Sequence, residues 1–174
     1  TITVSGSGAD GKGAIINSAP VEQRTALYAC KVSLAGDAAV GGVSRFGIWP
    51  DVKSPYLDLN GYTLSKVGAN IFSLINVDTA PGAGNIDVQG GNFWLVYSTQ
   101  LNGGPENRLT VRPDAILSFY MLFEPQAWTL ALNNRSYVSV ISSGAPNNTW
   151  NGPVTLNGTA FLGGYNYPAY NMRL

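Results

Sequence analysis

Three stretches of the chain carry residue types that could hold a ligand. Residues 49–56 read Trp-Pro-Asp-Val-Lys-Ser-Pro-Tyr, residues 147–151 read Asn-Asn-Thr-Trp-Asn, and residues 163–170 read Gly-Gly-Tyr-Asn-Tyr-Pro-Ala-Tyr. A pyranose ring can lay its C–H face on Trp or Tyr, while its hydroxyls meet planar amides and carboxylates. The candidate ligand-binding residues are therefore Trp49, Asp51, Tyr56, Asn147, Asn148, Trp150, Tyr165, Asn166 and Tyr167. Each of these aromatics has a competing use as a lid on the core or a subunit contact. Trp94 and Trp128 sit inside strand-like segments and read as core residues.

Much other chemistry is missing at the level of residue types. There is no histidine and a single cysteine, Cys30. Ser-His-Asp and Cys-His machinery, cysteine clusters and most zinc or copper sites are thereby excluded. No intrachain disulfide can form, and Cys30 lies in an apolar run where it reads as a small buried hydrophobe. The Gly-rich start lacks the Gly-Lys-Ser/Thr ending of a phosphate-binding loop. Carboxylates remain: Asp51, Asp58, Asp78, Asp87, Glu106, Asp114 and Glu124. A glycosidase needs two of them paired, and Glu106 and Glu124 would be the candidates. No closely spaced acidic motif occurs, and neither Asp78 and Asp87 nor Asp51 and Asp58 make a dense calcium pattern. The expectation is no catalytic residue, no metal and no cofactor.

Charge says little about partners except by exclusion. Ten basic and ten acidic residues give zero formal charge, and only 11% of the chain is charged. The basic residues are scattered, so nucleic acid is not expected as a partner. No apolar run approaches the roughly 18 residues of a membrane helix, so membrane insertion is not expected. Residues 1–10 lack the basic and apolar regions of a signal peptide. Asn134, Asn147 and Asn157 begin Asn-x-Ser/Thr triplets, which an Asn-rich chain supplies by chance. A polar surface built from Asn, Ser, Thr and Gly suits an extracellular or virion setting.

Short strands must position these groups. Residues 25–34 place Ala26, Tyr28, Cys30, Val32 and Leu34 on one face. Residues 43–49, 70–77, 92–98 and 108–112 add further strand-like runs, and residues 115–123 are almost wholly apolar. Residues 127–132 and 136–141 flank Asn133-Asn134 and read as a hairpin. Residues 153–156 and 159–162 flank Asn157-Gly158, and residues 170–174 alternate as a last strand. With Gly 21 and Pro 10, this predicts an all-β protein, an antiparallel β-sandwich or jelly roll of about twelve short strands. One domain is expected over residues 1–174, with residues 1–13 as a flexible arm or tether and no internal repeat.

The last third resembles the closing part of a concanavalin A-like or laminin-G-like sandwich. The resemblance rests on Trp128-Thr-Leu-Ala-Leu-Asn133, then Ser136 to Ile141, then Thr159-Ala-Phe-Leu-Gly-Gly164. It covers about 60 residues and implies a two-sheet jelly roll used for glycan recognition. Legume-type members hold metals through motifs that have no match here. In composition the chain is also similar to receptor-binding tips of phage tail fibres, which implies a homo-oligomer, by analogy a trimer. The function expected is a non-catalytic recognition domain for a surface glycan or host receptor, on a virion appendage or secreted adhesin. The alternatives are a structural capsid, decoration or fibre protein, and a jelly-roll glycoside hydrolase.

Overall fold

In the computed structural model, residues 1–28, 30–50, 55–82, 84–141 and 148–164 are described. A pair of short strands joined by a tight corner recurs along them. The first strands are β1 (Ile2–Gly6), β2 (Ile15–Asn17), β3 (Gln23–Tyr28), β4 (Val32–Gly42), β5 (Phe46–Trp49) and β6 (Pro55–Asp58). Next come β7 (Thr63–Lys66), β8 (Ile71–Ile75), β9 (Asp78–Thr79), β10 (Asn85–Val88) and β11 (Asn92–Val96). The last are β12 (Arg108–Val111), β13 (Ile116–Tyr120), β14 (Thr129–Asn133), β15 (Ser136–Ile141), β16 (Val154–Asn157) and β17 (Ala160–Gly164).

Every ladder between these strands is parallel. The first sheet follows the path β16-β14-β12-β10-β7-β4-β6-β9, with β1 and β2 also on β4. The second follows β17-β15-β13-β11-β8-β5-β3. From β10 onward consecutive strands alternate between the sheets, and each coil stacks on the one before it. The result is a β-solenoid of about five turns. Thr63, Asn85, Arg108 and Thr129 stand in one row, 22, 23 and 21 residues apart.

This corrects the antiparallel sandwich or jelly roll, and with it the concanavalin-like and tail-fibre-like resemblances. The segment around Asn133-Asn134 is the clearest case. β14 pairs with β12 and β16, whereas β15 pairs with β13 and β17. The two strands enter different sheets, so the turn is a corner and not a hairpin. Alternation marks which side chains are buried, but it is the same for parallel and antiparallel neighbours. An internal repeat is also present. Its coils vary in length at the corners, which blurs the period. Residues 2–6, expected in a flexible arm, form β1 against Val32–Ala38 of β4. The expected final strand at residues 170–174 lies outside the described residues.

Apolar rungs fill the space between the sheets. Leu64, Ile86, Leu109 and Leu130 form one inner row, and Phe72, Phe93, Leu117 and Val138 another; each is at most 1% exposed. Lys66 breaks the pattern. It occupies an inner row with Val88, Val111 and Leu132, fully buried. Its Nζ donates to the carbonyls of Val67 at 2.8 Å, Gly68 at 2.9 Å and Gly90 at 3.1 Å, tying adjacent corners together. Burial pushes the Lys66 ammonium down to about 8. Cys30 is half-buried and packs against the core.

Candidate ligand-binding face

Side chains alternate in and out along each strand, so every outer position also forms a row across the coils. On the second sheet the middle outer row is Gly47, Ser73, Trp94, Ser118, Ser139 and Gly163. All but Trp94 are small. Larger residues flank this row: Ile71, Asn92, Ile116, Tyr137 and Phe161 on one side, and Ile75, Val96, Tyr120 and Ile141 on the other. Trp49, directly after Ile48, stands beside Ile75 in the latter row. The pattern makes a trough along the solenoid axis, divided by the Trp94 ring.

Beside Trp94 the trough opens into an aromatic pocket. Arg45, Trp49, Ile75, Trp94, Val96, Tyr97 and Tyr120 enclose about 230 Å³. The Arg45 guanidinium carbon lies 4.3 Å from the Trp94 ring centroid. Tyr120 stacks on Trp94 at 5.7 Å with an 8° interplanar angle. Strand order places Trp94 between them, so both of its faces are engaged. A cation over an aromatic face is worth about 0.5–2 kcal/mol. Arg45 Nε also donates to Ser73 Oγ at 3.3 Å, which fixes the arginine across the small floor. Tyr97 meets Tyr120 edge-on at 5.9 Å and stacks with Phe123 at 6.4 Å. It is brought there by the corner after β11, where its φ is +56°. Trp94 Nε1 is covered and has no partner among the described residues. Among the described residues Trp49 makes no ring contact, and it lines the pocket.

The C-terminal half of the trough is wider and more apolar. Its hollow of about 410 Å³ lies against Ile116, Ser118, Tyr137, Ser139, Ile141 and Phe161. Tyr137 and Phe161 stack at 4.8 Å. Ser118 Oγ donates to Asn92 Oδ1 at 2.9 Å, so the polar groups of this half partly satisfy each other.

The candidates chosen from sequence are dispersed. Trp49 reaches the pocket. Trp150 is 2% exposed, stacks on Phe119 at 5.9 Å and donates Nε1–H to the Trp128 carbonyl at 2.8 Å. Trp128 in turn donates to the Asn102 carbonyl at 2.9 Å. Both tryptophans thus form an internal ladder. Asn148 is also buried, its Oδ1 accepting from the Leu122 amide at 3.1 Å. Asp51, Asn147, Tyr165, Asn166 and Tyr167 lie outside the described residues, as does the side chain of Tyr56. Sequence reasoning missed Arg45, Tyr97 and Tyr120, and read Trp94 as core. The signal that could have found them is the repeat, because aligned coils put Trp94 in a row of Gly and Ser.

No acidic residue occupies a described position in these outer rows. Among the described residues no group of three or more His, Cys, Asp or Glu gathers to hold a metal. Glu106 is fully exposed, and the Gly104 amide donating to its Oε1 at 2.9 Å holds its carboxyl below the usual range. No protein-family model, curated protein or solved structure matches the chain.

Proposed function

We propose that this chain is a non-catalytic recognition module that binds a glycan through the aromatic pocket on the outer face of its second sheet. The observation that carries the reading is the convergence of Trp49, Trp94, Tyr97 and Tyr120 with Arg45 on one pocket of about 230 Å³. That volume is below the roughly 300–1,000 Å³ of drug-sized sites and suits a single sugar ring. Trp49 supplies the apolar face for the ring. Tyr and Arg donors at the rim supply directional bonds to hydroxyls.

A glycan array with the intact chain tests this. Binding to at least one glycan should fall tenfold or more in Trp49→Ala and Tyr97→Ala, with circular dichroism unchanged. A folded wild-type chain that retains no glycan would sink the reading. The apolar C-terminal hollow favours a second reading, a structural protein that packs this face against another apolar surface. Sedimentation would then show a closed oligomer that Tyr137→Lys disperses.

A further inference from the structure

The corners that lead from the first sheet to the second change character along the solenoid. The outer row at the end of the first sheet runs Ile16, Gly41, Val67, Gln89, Arg112 and Asn133. Its last three side chains are polar, and Gln89 and Arg112 both bond Asp87. Its first three positions are aliphatic or bare. Val43 joins them, because its amide donates to the Asn17 carbonyl at 2.9 Å, next to Ile16. Ile16 and Val43 are 48% and 67% exposed. Gly41 leaves a gap in the row, and residues 10–12 fold across it. A side chain at Gly41 would collide with the Lys12 carbonyl and with Val67 Cγ2. The fold is pinned by the Gly13 amide donating to the Ser7 carbonyl and the Ala14 amide to the Ala39 carbonyl, both at 2.8 Å. Between this loop and the corners lies a pocket of about 480 Å³, walled by Ile16, Val43 and Val67 with Lys12 at its mouth. That volume falls within the roughly 300–1,000 Å³ of small-molecule sites.

We propose that this pocket binds a medium-chain aliphatic carboxylate, with the hydrocarbon tail on Ile16, Val43 and Val67 and the carboxylate on Lys12. The walls are branched aliphatic and none of the described lining residues is aromatic, so the site fits methylene groups better than a stacked sugar ring. The head group follows from the charge at the mouth. Asp10 Oδ1 accepts from the Lys12 amide at 3.2 Å, which fixes the carboxylate on the loop, and Asp10 Oδ2 holds Lys12 Nζ at 2.8 Å. An ammonium has three donors, so Lys12 can keep this contact and still bond a second anion. A cationic head group would instead meet the ammonium at the entrance. Both Lys12 and Asp10 are exposed, so a carboxylate held there keeps much of its hydration while the tail leaves water. The site shares no lining residue with the aromatic pocket of the second sheet.

Calorimetric titration of the full chain with sodium decanoate, kept below its micelle concentration, tests this. The chain should bind decanoate at a single site, and decylammonium about tenfold more weakly or less. Lys12→Gln should lower decanoate affinity about tenfold. Val43→Asp should abolish binding by placing a like charge on the apolar wall. Both side chains are exposed, so each variant should keep the wild-type circular dichroism. Trp49→Ala should bind decanoate normally, so a failure of this site and a failure of the glycan site are told apart. The proposal is overturned if the wild-type chain ignores decanoate, if decylammonium binds equally, or if Lys12→Gln binds unchanged. Sedimentation of the wild-type chain with phosphatidylglycerol vesicles, lost in Val43→Asp, would also overturn it, by giving the apolar corner to a membrane surface.

Discussion

The two outer faces of the solenoid have the same backbone and opposite surfaces. The first sheet presents Thr63, Ser65, Asn85, Asp87, Arg108, Thr110, Thr129 and Thr155. These groups largely bond to one another or to nearby backbone. Arg112 grips Asp87 with Nε–Oδ1 at 2.9 Å and Nη2–Oδ2 at 3.2 Å, and Gln89 donates to Asp87 and Ser65 at 3.0 and 3.3 Å. Thr129 donates to the Pro105 carbonyl at 2.7 Å. The second sheet presents Ile, Val, Tyr, Trp and Phe around a small-residue floor, with Tyr137 and Phe161 39% and 46% exposed. The inner rungs and the parallel ladders hold the fold on both sides alike. Outer residues are free to vary, and apolar ones left at the surface mark an interaction site. The polar face is complete in itself; the aromatic face is not.

The sharpest way to break this comparison is to move inward. Trp150→Ala should destabilise the chain by about 3–5 kcal/mol, because the ring fills the core and its N–H bonds backbone. Urea titration would show it, and a near-normal midpoint would place the ring outside the core. Lys66 is next. Its folded value of about 8 lies below the unfolded lysine near 10.5. Between those values the unfolded chain binds more protons, so stability rises with pH across that window. The wild type should gain about 3 kcal/mol relative to Lys66→Met between pH 7.5 and 10.5. The difference between the two proteins removes the tyrosine titration they share. Parallel stability curves would disprove the lowered value.

A matched pair then contrasts the faces. Tyr120→Ala on the aromatic face should cost about 1–2 kcal/mol by unstacking Trp94, and should weaken glycan binding at least tenfold. Asp87→Asn on the polar face should cost about 1 kcal/mol, since Arg112 is half exposed, and should leave glycan binding intact. If both variants affected binding equally, the assignment of function to one face would fail. The smallest effect belongs to Arg135→Ala. Its 2.8 Å ion pair with Asp114 joins two side chains that are 65% and 60% exposed. Thermal unfolding should report a change within about 0.5 kcal/mol.

Much of the local structure was legible in the residues. The strand pattern of residues 136–141 is that of β15, and residues 108–112 and 92–98 contain β12 and β11. Leu109 and Val111 alternate with polar neighbours along β12, and both belong to the core. The reading failed where distant residues decide. Residues 25–34 alternate as a single strand would, but β3 ends at Tyr28 and β4 begins at Val32, and the two lie in different sheets. The loop around Trp150 carried amides and an aromatic, the same letters a binding loop would use. Those letters serve instead to bridge coils from within, because a buried indole N–H needs an acceptor and the Trp128 carbonyl lies 2.8 Å away.

The sequence by itself determined that the protein is all-β, that its strands are short, and that histidine and cysteine-cluster chemistry is absent. Those conclusions depend on composition and on side-chain period, which are local. Only the tertiary structure decided that the strands run parallel, since a ladder is formed by residues more than twenty positions apart and either direction satisfies the same alternation. It also assembled the aromatic pocket. Trp49, Trp94 and Tyr120 belong to three coils, and they meet only because in-register stacking places one coil's outer row beside the next.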